Sequence, residues 1–96
     1  MLQFHVSAQA EPDIDRIAAY TTESWGWRQT AQYLAKLEES FAMLAQNPSV
    51  GRSCESIRKG LRRFETGKHV VFYTPDPTGI LVVRVLHEQM LPMNYF

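Results

Sequence analysis

The sequence predicts an α+β fold in the order β-α-α-β-β-β, with an N-terminal helical hairpin packed on a small antiparallel sheet. Three observations point to it. Apolar residues recur at helical spacing through the first half. Short strand-like runs separated by tight turns fill the second half. A hydrophobic fraction of 45% over 96 residues supplies one modest core, so a single domain spanning 1–96 is expected.

Leu2 to Val6 reads as a short strand, and Ser7 ends it. Pro12 suits the first turn of a helix, where its missing N–H leaves nothing unpaired. Asp13 and Asp15 then sit near the positive end of the helix dipole. Ile14, Ile17, Ala18, Thr21 and Trp25 form the expected buried stripe, and Gly26 stops the helix. A second helix runs from Trp27 to Gln46, with Ala31, Leu34, Leu37, Phe41 and Leu44 as its stripe. Asn47-Pro48 ends it. The one-residue link between the helices predicts an antiparallel pair. Trp25 and Trp27 are expected to anchor the packing at that turn.

Gly51 to Gly60 is too polar for a core strand and reads as a connector. Leu61–Thr66, His69–Thr74 and Ile80–His87 follow as strands, divided by Gly67-Lys68 and by Pro75-Asp76-Pro77-Thr78-Gly79. Ile80-Leu81-Val82-Val83 is apolar on both pleat faces, which predicts a central strand. The tail, 88–96, carries Met90, Leu91, Met93 and Phe96. These residues either pack back on the domain or await a partner.

Net charge is zero, but the two halves differ. Residues 1–48 carry three positive against six negative charges; residues 49–96 carry seven against four. Six of those seven lie between Arg52 and Lys68. The stretch is a candidate anion-binding surface, or else a solvated edge. The lone cysteine, Cys54, closes no intramolecular disulfide, which suits a reducing cytosol. No apolar run approaches the roughly 20 residues of a membrane span. The N-terminus lacks the pattern of a secretory signal.

Phosphate-binding glycine loops, paired metal-ligand motifs and nucleophile elbows are absent. His69 and His87 lie on strands that can be neighbours but lack further metal ligands, and no metal or cofactor is expected. Tyr73 reads as strand packing with a wet hydroxyl. Arg84 interrupts an apolar strand, so it must reach water, a carboxylate or a ligand. Its parity matches Val82 and Leu86, whereas His87 matches Val83 and Val85. In a regular strand the two face opposite ways, unless a bulge intervenes.

Six segments in order resemble the ParE toxins of the ParE/RelE superfamily. They are Ala10-x-x-Asp13-x-x-Arg16-Ile17, Trp25-Gly26, Leu44-Ala45-x-Asn47-Pro48-x-x-Gly51-Arg52, Gly60-Leu61-Arg62, Lys68 to Tyr73, and Arg84-Val85-Leu86-His87-x-x-Met90. The resemblance implies a cytoplasmic toxin of a type II toxin–antitoxin module. Its partner would be a ParD-like antitoxin, which wraps the toxin with a helix and extended chain. DNA would be met only indirectly, through that antitoxin. The target implied is DNA gyrase, inhibited by binding rather than by catalysis. RelE-like relatives instead cut mRNA on the ribosome, and His87 falls where some of them carry a catalytic histidine. The candidate target-binding residues are Arg58, Lys59, Arg62, Arg63, Arg84, His87 and Met90.

Overall fold

A computed structural model describes residues 2–96. In chain order the elements are β1 (Gln3–Val6), α1 (Ala10–Trp25), α2 (Trp27–Gln46), β2 (Arg52–Ser53), β3 (Arg62–Thr66), β4 (His69–Asp76) and β5 (Gly79–His87). A short 3-10 turn, Pro92–Asn94, lies in the tail. The five strands form one sheet in the order β1-β5-β4-β3-β2.

The sheet is mixed rather than wholly antiparallel, because β1 pairs parallel with β5. A parallel pair needs a long connection. Here everything from α1 to β4 supplies it. The expected connector also contributes the two-residue edge strand β2, paired with β3.

Ser7 starts α1: its Oγ accepts the Ala10 N–H at 3.1 Å and donates to the Val83 carbonyl at 2.8 Å. Gly26, with φ of 89°, makes the break between the helices in one residue. The tryptophans do not anchor that turn: Trp25 is 73% exposed and Trp27 is 69% exposed. Two threonines hold it instead. Thr22 Oγ1 and Thr30 Oγ1 are 2.6 Å apart, and Thr30 Oγ1 donates to the Gly26 carbonyl at 3.2 Å. The buried residues of α1 are Ala10, Asp13 and Ile17, so the stripe is rotated from the expected one. On α2, Ala31 is exposed, whereas Leu37, Phe41, Leu44 and Ala45 are buried.

The sheet is covered on both faces. The helices pack on Val71, Tyr73, Ile80, Val82 and Val85. On the opposite face Val70, Phe72, Val83 and Leu86 are covered by Cys54 and Leu61, with Ile57, Met90 and Phe96 beside them. Cys54 is thus a small apolar core residue of the connector. The change of parity along β5 comes from a bulge. Phe72 faces Arg84 but Tyr73 faces Val82, so Val83 has no partner on β4. After the bulge Val85 returns to the helix side and Leu86 to the other.

Tyr73 departs from the wet-hydroxyl expectation. It is fully buried, donates to the Pro48 carbonyl at 2.7 Å and accepts the Gly51 N–H at 2.9 Å. It therefore pins the loop that follows α2. A Cβ on Gly51 would lie 2.4 Å from the Tyr73 hydroxyl oxygen and 2.8 Å from the Arg63 carbonyl oxygen, so no larger residue fits. Tyr73→Phe should lower unfolding free energy by about 1–3 kcal/mol, because the loop's N–H and carbonyl lose their buried partner. Urea denaturation followed by circular dichroism reads the shift in midpoint.

Candidate functional site

The seven candidate residues separate into two groups. Arg58 and Lys59 sit in the turn that carries the chain from β2 to β3. That turn is closed by Glu55, whose carboxylate accepts the Gly60 N–H at 2.6 Å, and by the Cys54 N–H donating to the Leu61 carbonyl at 2.8 Å. The Arg58 guanidinium lies 5.3 Å from the Phe96 ring centroid, and Phe96 stacks edge-on against Phe72 at 5.1 Å. Arg63 lies over Phe72 itself at 5.5 Å. Arg58, Arg63 and the end of the tail therefore share the sheet face away from the helices. Lys59 and Lys68 make no ion pair among the described residues.

Arg62 leaves β3 on the other side and is committed to the protein. Its Nε donates to the Gly51 carbonyl at 2.9 Å and its Nη2 to the Ser49 carbonyl at 3.1 Å. Arg63 and Arg52 both bind the Glu65 carboxylate, at 3.0 and 2.9 Å. Burial pushes the Glu65 carboxyl up, but the hydrogen bonds from Arg63 and Arg52 outweigh it and hold the group below its usual value. These are exposed pairs of small energetic weight. The basic stretch is therefore less freely charged than its sequence implies.

Arg84, His87 and Met90 form the second group, where β5 meets α1 and the tail. Arg84 donates to Asp13 through Nε at 2.7 Å and Nη2 at 2.8 Å. The Asp13 side chain is 1% exposed and that of Arg84 13%. Asp13 also accepts the Val85 N–H at 3.0 Å and a bond from Arg16. The third guanidinium nitrogen of Arg84 reaches the Tyr95 carbonyl at 2.8 Å, and the group lies 5.6 Å from the Tyr95 ring centroid. The Asp13 hydrogen bonds hold the Arg84 pKa above its usual value against the opposing effect of burial. Arg84 is thus permanently charged and turned inward.

His87 faces His69, its direct partner on β4, with ring centroids 5.4 Å apart. His69 Nδ1 lies 2.5 Å from the Tyr33 hydroxyl on α2. Burial lowers the His69 pKa, neighbouring His87 adds to that, and Glu88 opposes it. The bulge lies before Arg84, so Arg84 pairs with Phe72 and His87 with His69 in unbroken register and the two keep opposite parity; what the bulge breaks is the expected match of Arg84 with Val82 and of His87 with Val83. Met90 Sδ accepts the His87 N–H at 3.3 Å, and its side chain packs with the second core cluster. No group of three or more metal-ligating side chains occurs among the described residues. No helix is long and apolar enough to cross a membrane.

Asp13 was missed as a site residue by the sequence reading. It stands four residues before the buried Ile17, on the same helix face, and that spacing was the available signal. A carboxylate was one expected partner for Arg84, and the pair with Asp13 meets that expectation; reading Asp13 as a dipole partner left it unnamed. Tyr33 carried no signal apart from its place on α2.

Two helices laid over a mixed sheet whose reverse face is closed by a basic connector and an apolar tail define a small α+β protein. The solved structure titled "Chromosomal ParDE TA system from P. aeruginosa" shares this fold, with a TM-score of 0.74 over 91% of this chain and 96% of that one, at 19% identity. The family model described as "ParE toxin of type II toxin-antitoxin system, parDE" matches residues 4–92. Toxin ParE1 of Caulobacter vibrioides is 37% identical over 90 residues, covering 94% of this chain and 93% of that protein. Toxin ParE of Escherichia coli is 36% identical over 93 residues, covering 94% and 88%. The chain belongs to the ParE toxin family of type II toxin–antitoxin systems.

Asp13→Ala should cost about 3–5 kcal/mol, because it leaves the Arg84 charge without its carboxylate. Pairing it with Arg84→Met should recover much of the loss, and chemical denaturation of the single and double variants measures both. His69 gives a pH effect of definite sign. Its folded pKa lies below the unfolded value of 6.5, so the unfolded chain takes up the proton first. The stability this group contributes is complete above that value and is lost as pH falls through it towards the folded pKa. His69→Gln should flatten the stability profile over that window, whatever its effect at neutral pH.

Proposed function

We propose that this toxin acts in the cytoplasm by binding DNA gyrase and trapping it on cleaved DNA, and that a ParD-like antitoxin neutralises it. Inhibition here is by occupancy and not by catalysis. The observation that carries this reading is the fate of the arginines. Arg62 and Arg84, which a nuclease would aim at a scissile phosphate, bond to the protein's own carbonyls and to Asp13. Phosphate chemistry needs such cations free to meet developing charge. What remains outward is a mixed surface of Arg58, Lys59 and the tail, with Leu91 68% and Met93 71% exposed. Cations beside exposed apolar side chains suit a protein partner.

The antitoxin reading has its own support. β1 is an edge strand, and beside it Phe4, Val6, Ile14, Leu34 and Phe41 line an apolar hollow. An extended or helical segment that folds on binding fits such a place.

The test uses purified gyrase and supercoiled plasmid. The toxin should inhibit supercoiling and yield linear plasmid after protein digestion, and added antitoxin should abolish both effects. Replacing Arg58, Lys59 and Met93 together by alanine should raise the inhibiting concentration by roughly tenfold or more. Unaffected gyrase combined with ribosome-dependent mRNA cuts would sink the proposal in favour of a RelE-type nuclease.

A further inference from the structure

Three residues tie the tail to the body of the protein. Met90 packs with the second core cluster and closes a crevice against Asp13, Arg16, Ile17 and Val85. Phe96 stacks on Phe72 and faces the Arg58 guanidinium. Tyr95 is held by Arg84, through its carbonyl at 2.8 Å and its ring at 5.6 Å. Between these ties Leu91 and Met93 stand in water, 68% and 71% exposed.

The backbone between the ties is set locally. Leu91 is extended, with φ −79° and ψ 115°, as a residue before proline prefers to be. Pro92 fixes its own φ at the start of the 3-10 turn. The Asn94 N–H then donates to the Leu91 carbonyl at 3.0 Å, and the Tyr95 N–H to the Pro92 carbonyl at 2.9 Å. Leu91 and Met93 thus project from a closed turn and not from a free chain. Ordering a segment on binding costs affinity, and a conformation formed beforehand removes that cost.

Arg84 meets Asp13 along one edge of its guanidinium, through Nε and Nη2, which leaves Nη1 for the tail. Asp13 is fixed in turn by the Val85 N–H. We propose that Asp13 and Arg84 are positioning residues for the tail. They clamp Tyr95 so that the Pro92–Asn94 turn presents Leu91 and Met93 as a preformed apolar ridge to the macromolecule the toxin inhibits, a role that rests on the proposed binding of that target by the tail. Neither residue need touch the target itself: Asp13 is buried, and Arg84 spends its donors inside the protein.

Arg84→Lys in the whole chain tests the clamp. Lysine keeps a charge for Asp13, but a single ammonium cannot serve Asp13 and the Tyr95 carbonyl from two edges as a guanidinium does. In nitrogen-15 relaxation the heteronuclear NOEs of Leu91, Met93 and Asn94 should fall while those of the helices stay unchanged. On controlled expression in cells, the toxin level that half-arrests growth should rise by roughly tenfold, and Met93→Ala should raise it by a similar factor. The double variant should be little weaker than either single one, because the clamp acts only through what the tail presents. A pair that merely stabilises the fold would give losses that multiply. Unmoved tail NOEs in Arg84→Lys, or multiplying losses, overturn the proposal. Growth arrest is scored whatever the target, so a toxin that spares gyrase would fail the gyrase reading and the double-variant comparison would still decide the clamp. Should Arg84→Lys fail to fold, Tyr95→Ala removes the ring against the guanidinium and leaves the Asp13 pair whole. Its tail NOEs should fall as well, and unmoved values overturn the clamp.

Discussion

The carboxylate of Asp13 is the point on which the rest of the molecule is hung. It accepts from Arg16 on its own helix, from Arg84 twice and from the Val85 N–H. One buried side chain thus fixes α1 to the central strand and, through Arg84, fixes the tail by the Tyr95 carbonyl. A buried carboxylate is tolerable only when every lone pair is used. Here the partners come from a helix, a strand bulge and, at one remove, the tail. Removing any one of them would alter the position of the others. Such pairs often add little net stability over apolar packing. Their value lies in specifying a single arrangement of three elements that hydrophobic contact alone would leave free to slide.

The bulge in β5 makes that arrangement reachable. Without it, Val82 and Val85 would point to opposite faces, and an apolar side chain would be lost from one core to the other. The extra residue lets Val82 and Val85 both face the helices, and Val83 and Leu86 both face the connector and tail. The Val85 N–H, turned away from regular pairing, is the one Asp13 accepts.

Much of the architecture was legible in the sequence because periodicity and turn chemistry are local. The α2 limits, the hairpin of helices and the central place of β5 all follow from such signals. The parallel partner of β1 was not legible, since four strand-like residues carry no mark of their neighbour. The bulge escaped because an apolar run on both faces looks identical with or without a one-residue slip. For the site, the basic residues were visible as charge. Their internal use was not, because the acceptors of Arg62 are main-chain carbonyls, which every sequence contains. The tail's docking rests on Phe96 against Phe72, a contact spanning 24 positions that no local pattern announces.

The turn between the helices has a consequence for anyone following this protein by light. The chain holds two tryptophans, and both stand in water at that turn, one beneath the Arg28 guanidinium. At that exposure their emission should resemble that of the free indole. Unfolding the core will barely change its colour, so intrinsic fluorescence reports on events at the hairpin tip. A ligand or partner touching that end will register strongly; one seated on the opposite side of the sheet will leave the signal dark.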